Sequence, residues 1–450
     1  MNHEATFVSS TWSGPLTPPA SVPDSADVVV IGGGIVGVST AWFLARQGVS
    51  VVLCEKGHIA GEQSGRNWGW VRIQGRDRRE IPMMQAAMEI WDSLRETTGE
   101  DVGFVRRGCF FAAGNDKEME SFERWVRIAA EYGIESRLVS AAELQKFVKS
   151  ATGLDAGAVY TESDGRAEPQ RAAPAIARAA EREGAYVLTS CAVRGLETSG
   201  GNVSAVVTEH GTIRTSTVLC AAGAWTSLFC RSLGIAVPQL KVRGTVVRTA
   251  ACENVLEGNV FDHRLGIRRR ADGGYTVAHG SILQHPITPS TFRWSFKFIP
   301  ALMQELKVLR LSFGKEFFDE WRLPKTWALD EQSPFEKTRV LDPEPSQRVV
   351  KGIRRNLDAM FPQLASTPIV ESWAGMVETS PDVVPMIDAI EELPGFHIAT
   401  GFSGHGFGLG PGAGKAIAGM LTGADTGIDI APLRLGRFFD GTPIRPQSTI

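Results

Sequence analysis

Residues 28–55 read VVVIGGGIVGVSTAWFLARQGVSVVLCE. Four β-branched residues, Val28 to Ile31, run into Gly32, Gly34 and Gly37 at the spacing Gly-x-Gly-x-x-Gly. An amphipathic stretch follows, then a second apolar run from Val51 to Leu53, then Glu55. The succession predicts strand, tight turn, helix and strand, with an acid at the end of the second strand. In that context the glycines form a dinucleotide-binding fingerprint. Gly32 permits the turn, Gly34 lets backbone approach a pyrophosphate, and Gly37 lets the helix lie close on the sheet. Ile35 and Val36 open the helix, whose N-terminal N–H groups and partial positive charge face the phosphates. Glu55 takes the ribose hydroxyls, and Lys56 is placed beside it at the cofactor.

At 450 residues the chain exceeds one simple core, so two domains are expected. Hydrophobic content of 43% and charged content of 22% are those of an ordinary globular protein. The net charge of −3 offers no basic field for nucleic acid. The six cysteines (Cys54, Cys109, Cys191, Cys220, Cys230, Cys252) form no CxxC or His/Cys metal pattern, and most sit in apolar runs. Buried free thiols, a reducing compartment and no metal site follow. Residues 1–23 hold acids, prolines and serines rather than a signal-peptide core, and read as an arm. No run reaches the ~18–20 apolar residues of a membrane span. A cytoplasmic location is the expectation.

Further along, 56–77 reads as a long loop rich in glycine and tryptophan. Helical spacing appears at 80–97, 116–132, 168–183, 300–322 and 345–360. Ala185–Leu188, a hairpin at 203–214 and the run Thr217–Gly223 read as strands, the last entering a small-residue turn before Trp225. Alternating strands fill 238–280. The segment 396–421 is again strand, glycine turn, helix. Three separated segments (24–95, 165–235, 365–425) thus compose a cofactor domain. Residues 96–164 and 236–364 form a second domain, and 426–450 a C-terminal tail.

Ala399-Thr-Gly401-Phe-Ser403-Gly404-His405-Gly406-Phe407, Ala221-Ala222-Gly223-Ala-Trp225-Thr226 and the Trp373–Asp388 run resemble the D-amino-acid oxidase and sarcosine oxidase superfamily of FAD-dependent amine oxidases. The stretch Glu62–Asp77 is most similar to opine-oxidase B subunits and iminodiacetate-oxidase-like enzymes. The resemblance implies an α/β (α+β) fold: a Rossmann-like FAD-binding domain of the glutathione-reductase type, interleaved with a substrate domain on a mostly antiparallel sheet. It implies that Ala192 and Val193 meet the adenine side. Ser64, Gly65, Arg66, Asn67, Trp68, Gly69 and Trp70 run beside the flavin and pyrophosphate, and Ala222, Gly223 and Trp225 line the cofactor. Gly404, His405, Gly406, Phe407 and Gly408 offer a helix N-terminus to the flavin pyrimidine, where negative charge develops on reduction.

Departures from the family pattern carry information. Gly375 stands about where sarcosine oxidases carry a flavin-linking cysteine, so the FAD is expected to be non-covalent. Gly408 replaces their carboxylate-gripping lysine. No lysine occurs between Lys241 and Lys297, which leaves the oxygen-promoting lysine of that branch without a counterpart. Arginines suit substrate carboxylates, and Arg72, Arg243 and Arg268 are the candidates, with His263, His279 and Trp70 as further contacts. His405 is either a base or a support of the flavin turn. The Trp321/Trp327 region either covers the entrance or makes an oligomer contact.

The implied reaction oxidises the C–N bond of a small secondary amine bearing carboxylates, of iminodiacetate or opine type. Hydride passes from the α-carbon to flavin N5, and imine hydrolysis gives an amino acid and a 2-oxo acid such as glyoxylate. Oxygen as acceptor, with peroxide as product, is favoured over another acceptor. The alternatives are D-amino-acid, glycine or sarcosine oxidation, or a catalytic subunit passing electrons to a partner. A homo-oligomer is also compatible.

Overall fold

A computed structural model describes residues 21–305 and 308–446. The arm expected at 1–23 lies almost wholly outside the described residues. A six-stranded sheet carries the fingerprint. Its order is Met386–Ala389, Phe396–Thr400, Val218–Cys220, Val28–Ile31, Val51–Cys54, Tyr186–Leu188. All neighbours are parallel except the first pair. Successive residues of the first strand point to opposite faces. Val28 and Val30 pack under the helices, while Val29 and Ile31 pack under a three-stranded antiparallel meander, Val193–Arg214. Burial on both faces explains why this strand is an unbroken apolar run rather than an alternating one.

The helices Ile35–Arg46 and Gly406–Thr422 lie side by side on the sheet. A Cβ at Gly414 would stand 2.4 Å from the Cβ of Ser39, and one at Gly410 2.6 Å from Ile35. The glycine-rich composition of the last helix therefore reflects interhelical contact.

The second sheet has ten strands and is mostly antiparallel. At its centre Leu240–Thr249 pairs on one edge with Tyr275–His279 and Leu283–Pro286. On its other edge it pairs along its length with Ile369–Thr379. That last strand was expected among the cofactor segments; instead it joins the second sheet and delivers Gly375 to the interface.

Two further local expectations differ. The span 300–322 is not one helix: the helix covers Pro289–Glu305, a strand follows at Leu309–Ser312, and a second helix covers Lys315–Arg322. The loop at 56–77 contains a short helix, Gln63–Arg66, and a strand, Trp70–Val71. The described part of the tail is docked, since Arg437, 3% exposed, holds Asp382 by two hydrogen bonds of 2.9 and 3.0 Å.

Candidate active site

A cavity of about 1140 Å³ runs from the C-terminal ends of the parallel strands to the face of the second sheet. It lies where the chain leaves Val28–Ile31 first toward Val51–Cys54 and later returns on the opposite side at Val218–Cys220. This is the crevice in which open α/β sheets bind ligands.

The inner end is shaped by backbone. Gly32 adopts φ +112°, and a Cβ there would meet Ala221 O at 2.5 Å. A Cβ on Gly37 would lie 2.0 Å from Gly32 O, so the helix can approach the turn only as glycine. Gly34, Ile35 and Val36 line the cavity. The Ile35 N–H donates to Ser64 Oγ at 2.9 Å. Glu55 accepts from the Gly33 and Gly57 N–H groups, each at 2.7 Å. Burial raises its carboxyl, and its remaining lone pairs stay available to hydroxyl donors. A cradle that any Cβ would fill, a helix N-terminus and an acid at the strand end fit the diphosphate and ribose of a dinucleotide.

Other expected cofactor residues divide into walls and supports. Val193, Ala222, Gly223, Trp225, Asn67, Trp68, Trp70, Gly375, Gly404, His405, Gly406 and Phe407 line the cavity. Lys56 also lines it, with Nζ held by Glu62 at 2.7 Å and by the Thr338 and Arg339 carbonyls. Arg66 braces the loop against the second sheet, donating to Ala374 O at 3.2 Å and pairing with Asp342. Gly65, Gly69, Ala192 and Gly408 do not reach the cavity wall. Gly65 packs on the Ala60 carbonyl, and Gly69 on Ala167 O and Arg268. The Ala192 N–H is engaged by Glu209 Oε1 at 2.7 Å, and the Gly408 carbonyl accepts from Trp91 Nε1 at 2.9 Å.

Beyond the loop at 56–77 lies a buried ionisable cluster. Arg72 lines the wall with its guanidinium over the Phe111 ring, 5.0 Å from the centroid. Arg76, four residues later in sequence and absent from the sequence-based candidates, also lines it while only 3% exposed. Its Nη1 and both amide atoms of Gln74 have no hydrogen-bond partner among the described residues. Burial, reinforced by Arg72, lowers the Arg76 guanidinium to about 9. A charge that is buried and incompletely bonded seeks an anion. Glu80 is fully buried and lies 3.0 and 3.1 Å from His405 Nδ1. Burial works to raise Glu80, yet His405, Arg76 and Arg72 outweigh it and hold it below the ordinary carboxylate range. Burial and then Arg76 push His405 below its ordinary value. Asp164, accepting from the Ile73 N–H at 2.6 Å, is raised by burial to about 7.

Two expected substrate arginines are engaged elsewhere. Arg268 is 1% exposed and grips Glu168 with bonds of 2.9 and 3.1 Å. The pair keeps Glu168 charged: burial opposes this, but Arg268 prevails and lowers it to about 2. Arg243 donates to Gln284 Oε1 at 3.2 Å and is not part of the cavity wall. His263 and His279 do line it, and burial and then Arg355 lower His279. The outer arm is largely apolar, walled by Ile282, Leu283, Phe298, Ile299, Leu302 and Leu309. Trp327 packs inward on Phe335, whereas Trp321 is 70% exposed.

The family model described as "FAD dependent oxidoreductase" (DAO) matches residues 27–420. The chain belongs to this FAD-dependent family. An L-amino acid deaminase from Proteus myxofaciens, solved with anthranilate, is 33% identical with a TM-score of 0.90, covering 94% of this chain and 95% of that one. Mitochondrial sarcosine dehydrogenase of Mus musculus is 28% identical over 97% of this chain but 44% of its own length. The chain thus spans less than half of that curated relative. An iminodiacetate oxidase from Chelativorans sp. BNC1 shares the fold, at 19% identity and a TM-score of 0.69 over 90% of this chain and 98% of that one. As a DAO-family protein the chain is an FAD-dependent oxidoreductase. No described helix is long and apolar enough to cross a membrane.

Proposed function

We propose that the chain holds FAD without a covalent link and oxidises the C–N bond next to the carboxylate of a small amine or amino acid. Gly32, Gly34, Ile35, Ser64 and Glu55 hold the diphosphate and ribose. Gly404 to Phe407 place a helix N-terminus against the flavin ring. FAD, when bound, supplies the two-electron oxidant. The observation that carries the reading is the pair Arg72 and Arg76 on one wall, the second buried with an N–H that has no partner among the described residues. That pair binds the substrate carboxylate by charge-assisted bonds, while the aromatic wall of Trp68, Trp70 and Phe111 excludes water.

The apolar outer arm favours a substrate with one carboxylate and an apolar side chain. The likeness to an L-amino acid deaminase supports that choice. The second reading is the secondary-amine dicarboxylate of iminodiacetate or opine type, with Arg72 and Arg76 taking one carboxylate each. Oxygen or a partner's acceptor reoxidises the flavin. Anaerobic mixing with leucine, phenylalanine, sarcosine or iminodiacetate, each in turn, tests the proposal. Bleaching by an apolar amino acid supports the first reading, and bleaching by iminodiacetate alone the second. No bleaching by any carboxylated amine would overturn both.

A further inference from the structure

His405 precedes the helix Gly406–Thr422 and lies in the cavity wall. Its Nδ1 faces both oxygens of Glu80, which is fully buried in the turn leading into Ile81–Thr98. A buried ionised carboxylate only accepts hydrogen bonds, so Nδ1 carries the proton. In the neutral ring Nε2 is then an unprotonated acceptor. The hydrogen bonds of the His405 ring among the described residues are those at Nδ1, and its side chain keeps 21% of its surface open, toward the cavity. The charged groups that face the ring are Glu80, Arg76 and Arg72. The two arginines disfavour imidazolium in the resting site, and Glu80 stabilises it once formed.

We infer that His405 Nε2 is the proton acceptor for the substrate's ammonium group, with Glu80 as the positioning residue that fixes its tautomer. The inference rests on the functional reading above. A carboxylated amine arrives mostly as ammonium at neutral pH, and hydride cannot leave the adjacent carbon until nitrogen holds a free electron pair. One N–H bond of the substrate breaks, its electron pair stays on nitrogen, and an Nε2–H bond forms. The imidazolium so created lies against the Glu80 carboxylate. The subsequent two-electron oxidation uses the bound FAD as oxidant. This assigns the carboxylate to Arg72 and Arg76 and the amine to His405, which orients the substrate through two different chemical handles.

The test follows anaerobic flavin reduction by the bleaching substrate across the neutral pH range in the FAD-loaded protein. The wild type should show an acid limb below the ordinary histidine value. His405→Asn should slow reduction about 100-fold near neutrality, the usual scale of general-base loss. Its rate should then climb with pH as free amine accumulates. Glu80→Gln removes the anion that stabilises imidazolium, so the acid limb should move to lower pH and the neutral rate should fall. It carries the kinetic test if His405→Asn does not retain flavin. An unchanged rate and profile in these variants would overturn the inference. An independent readout is the ¹⁵N spectrum of histidine-labelled holoenzyme. Protonated Nδ1 with bare Nε2 is expected, and a protonated Nε2 at neutral pH overturns the assignment. Failure of the functional reading looks different: the wild-type flavin stays oxidised with every carboxylated amine, and the inference falls with it.

Discussion

The two ends of the cavity are built by different means. The inner end is made from backbone. Gly32, Gly34, Gly37, Glu55 and Ser64 come from one short span, and their positions follow from a turn at φ +112° and a carbonyl that leaves no space for a Cβ. The outer arm is made from side chains, Ile282, Phe298, Leu302 and Leu309 among them, brought together by the second sheet and the helix Pro289–Glu305. Gly32 and Gly37 therefore leave no space for a side chain, whereas the outer arm is shaped by side chains that can be exchanged singly. The contrast fits a protein that keeps one cofactor and adapts its substrate.

The strongest way to break the comparison is at the inner end. Gly37→Ala sets a methyl 2.0 Å from the Gly32 carbonyl. Because backbone cannot yield as a side chain does, the cost should exceed the ~1–3 kcal/mol of ordinary overpacking. Purified Gly37→Ala protein should hold no FAD, read from its visible spectrum. A yellow, stable variant would show that the helix has freedom to withdraw.

Next in size is Arg268→Met. It leaves Glu168 buried and uncompensated, and loss of one member of such a pair costs about 3–5 kcal/mol. The midpoint of denaturant unfolding should fall accordingly, while substrate affinity at permissive temperature stays near wild type. A variant of unchanged stability with raised KM would return Arg268 to the substrate site.

Arg72→Met and Arg76→Met act between the two ends. Each removes a charge-assisted bond worth about 1.5–3 kcal/mol, so KM should rise roughly 10- to 100-fold. FAD content should be retained. An unaltered KM in both would remove the carboxylate wall from the reading.

The smallest effect belongs to the outer arm. Phe298→Ala, at a residue 8% exposed, should raise KM for apolar amino acids several-fold, within the ~1–3 kcal/mol of a pocket's apolar discrimination. The KM for sarcosine should be indifferent to it. Equal losses for both substrates would mean that the arm supports the fold rather than the side chain.

Much of the inner end was legible because the fingerprint's constraints are local. A tight turn, a close helix and an acid at a strand end each require a residue type at a fixed spacing. The helices at 80–97, 116–132 and 168–183 were legible for a related reason, since each writes its buried face at 3.6-residue periodicity. The span 300–322 was not. Its apolar residues, Leu302 and Met303 before the strand and Phe317, Phe318 and Trp321 after it, all suit a helix, and the pairing of Leu309–Ser312 with Leu283–Pro286 is a long-range decision.

Side-chain roles were the least legible. Arg268, Arg243 and Arg76 are the same residue type, two on strands and one in a loop, and nothing local says which of them meets a counter-charge. Arg268 meets Glu168, a hundred residues away, and lies off the cavity wall; Arg243 meets Gln284; Arg76 finds no partner for Nη1 among the described residues and stays on the wall. Likewise Glu80 and His405 lie 325 positions apart, so no spacing rule joins them. The sequence by itself determined the tight turn, the close helix and the acid at the strand end that are proposed to hold the dinucleotide, because backbone geometry is encoded within a few residues. Only the tertiary structure decided which charges face the cavity, because each buried charge is assigned by whichever opposite group the fold brings within hydrogen-bond reach.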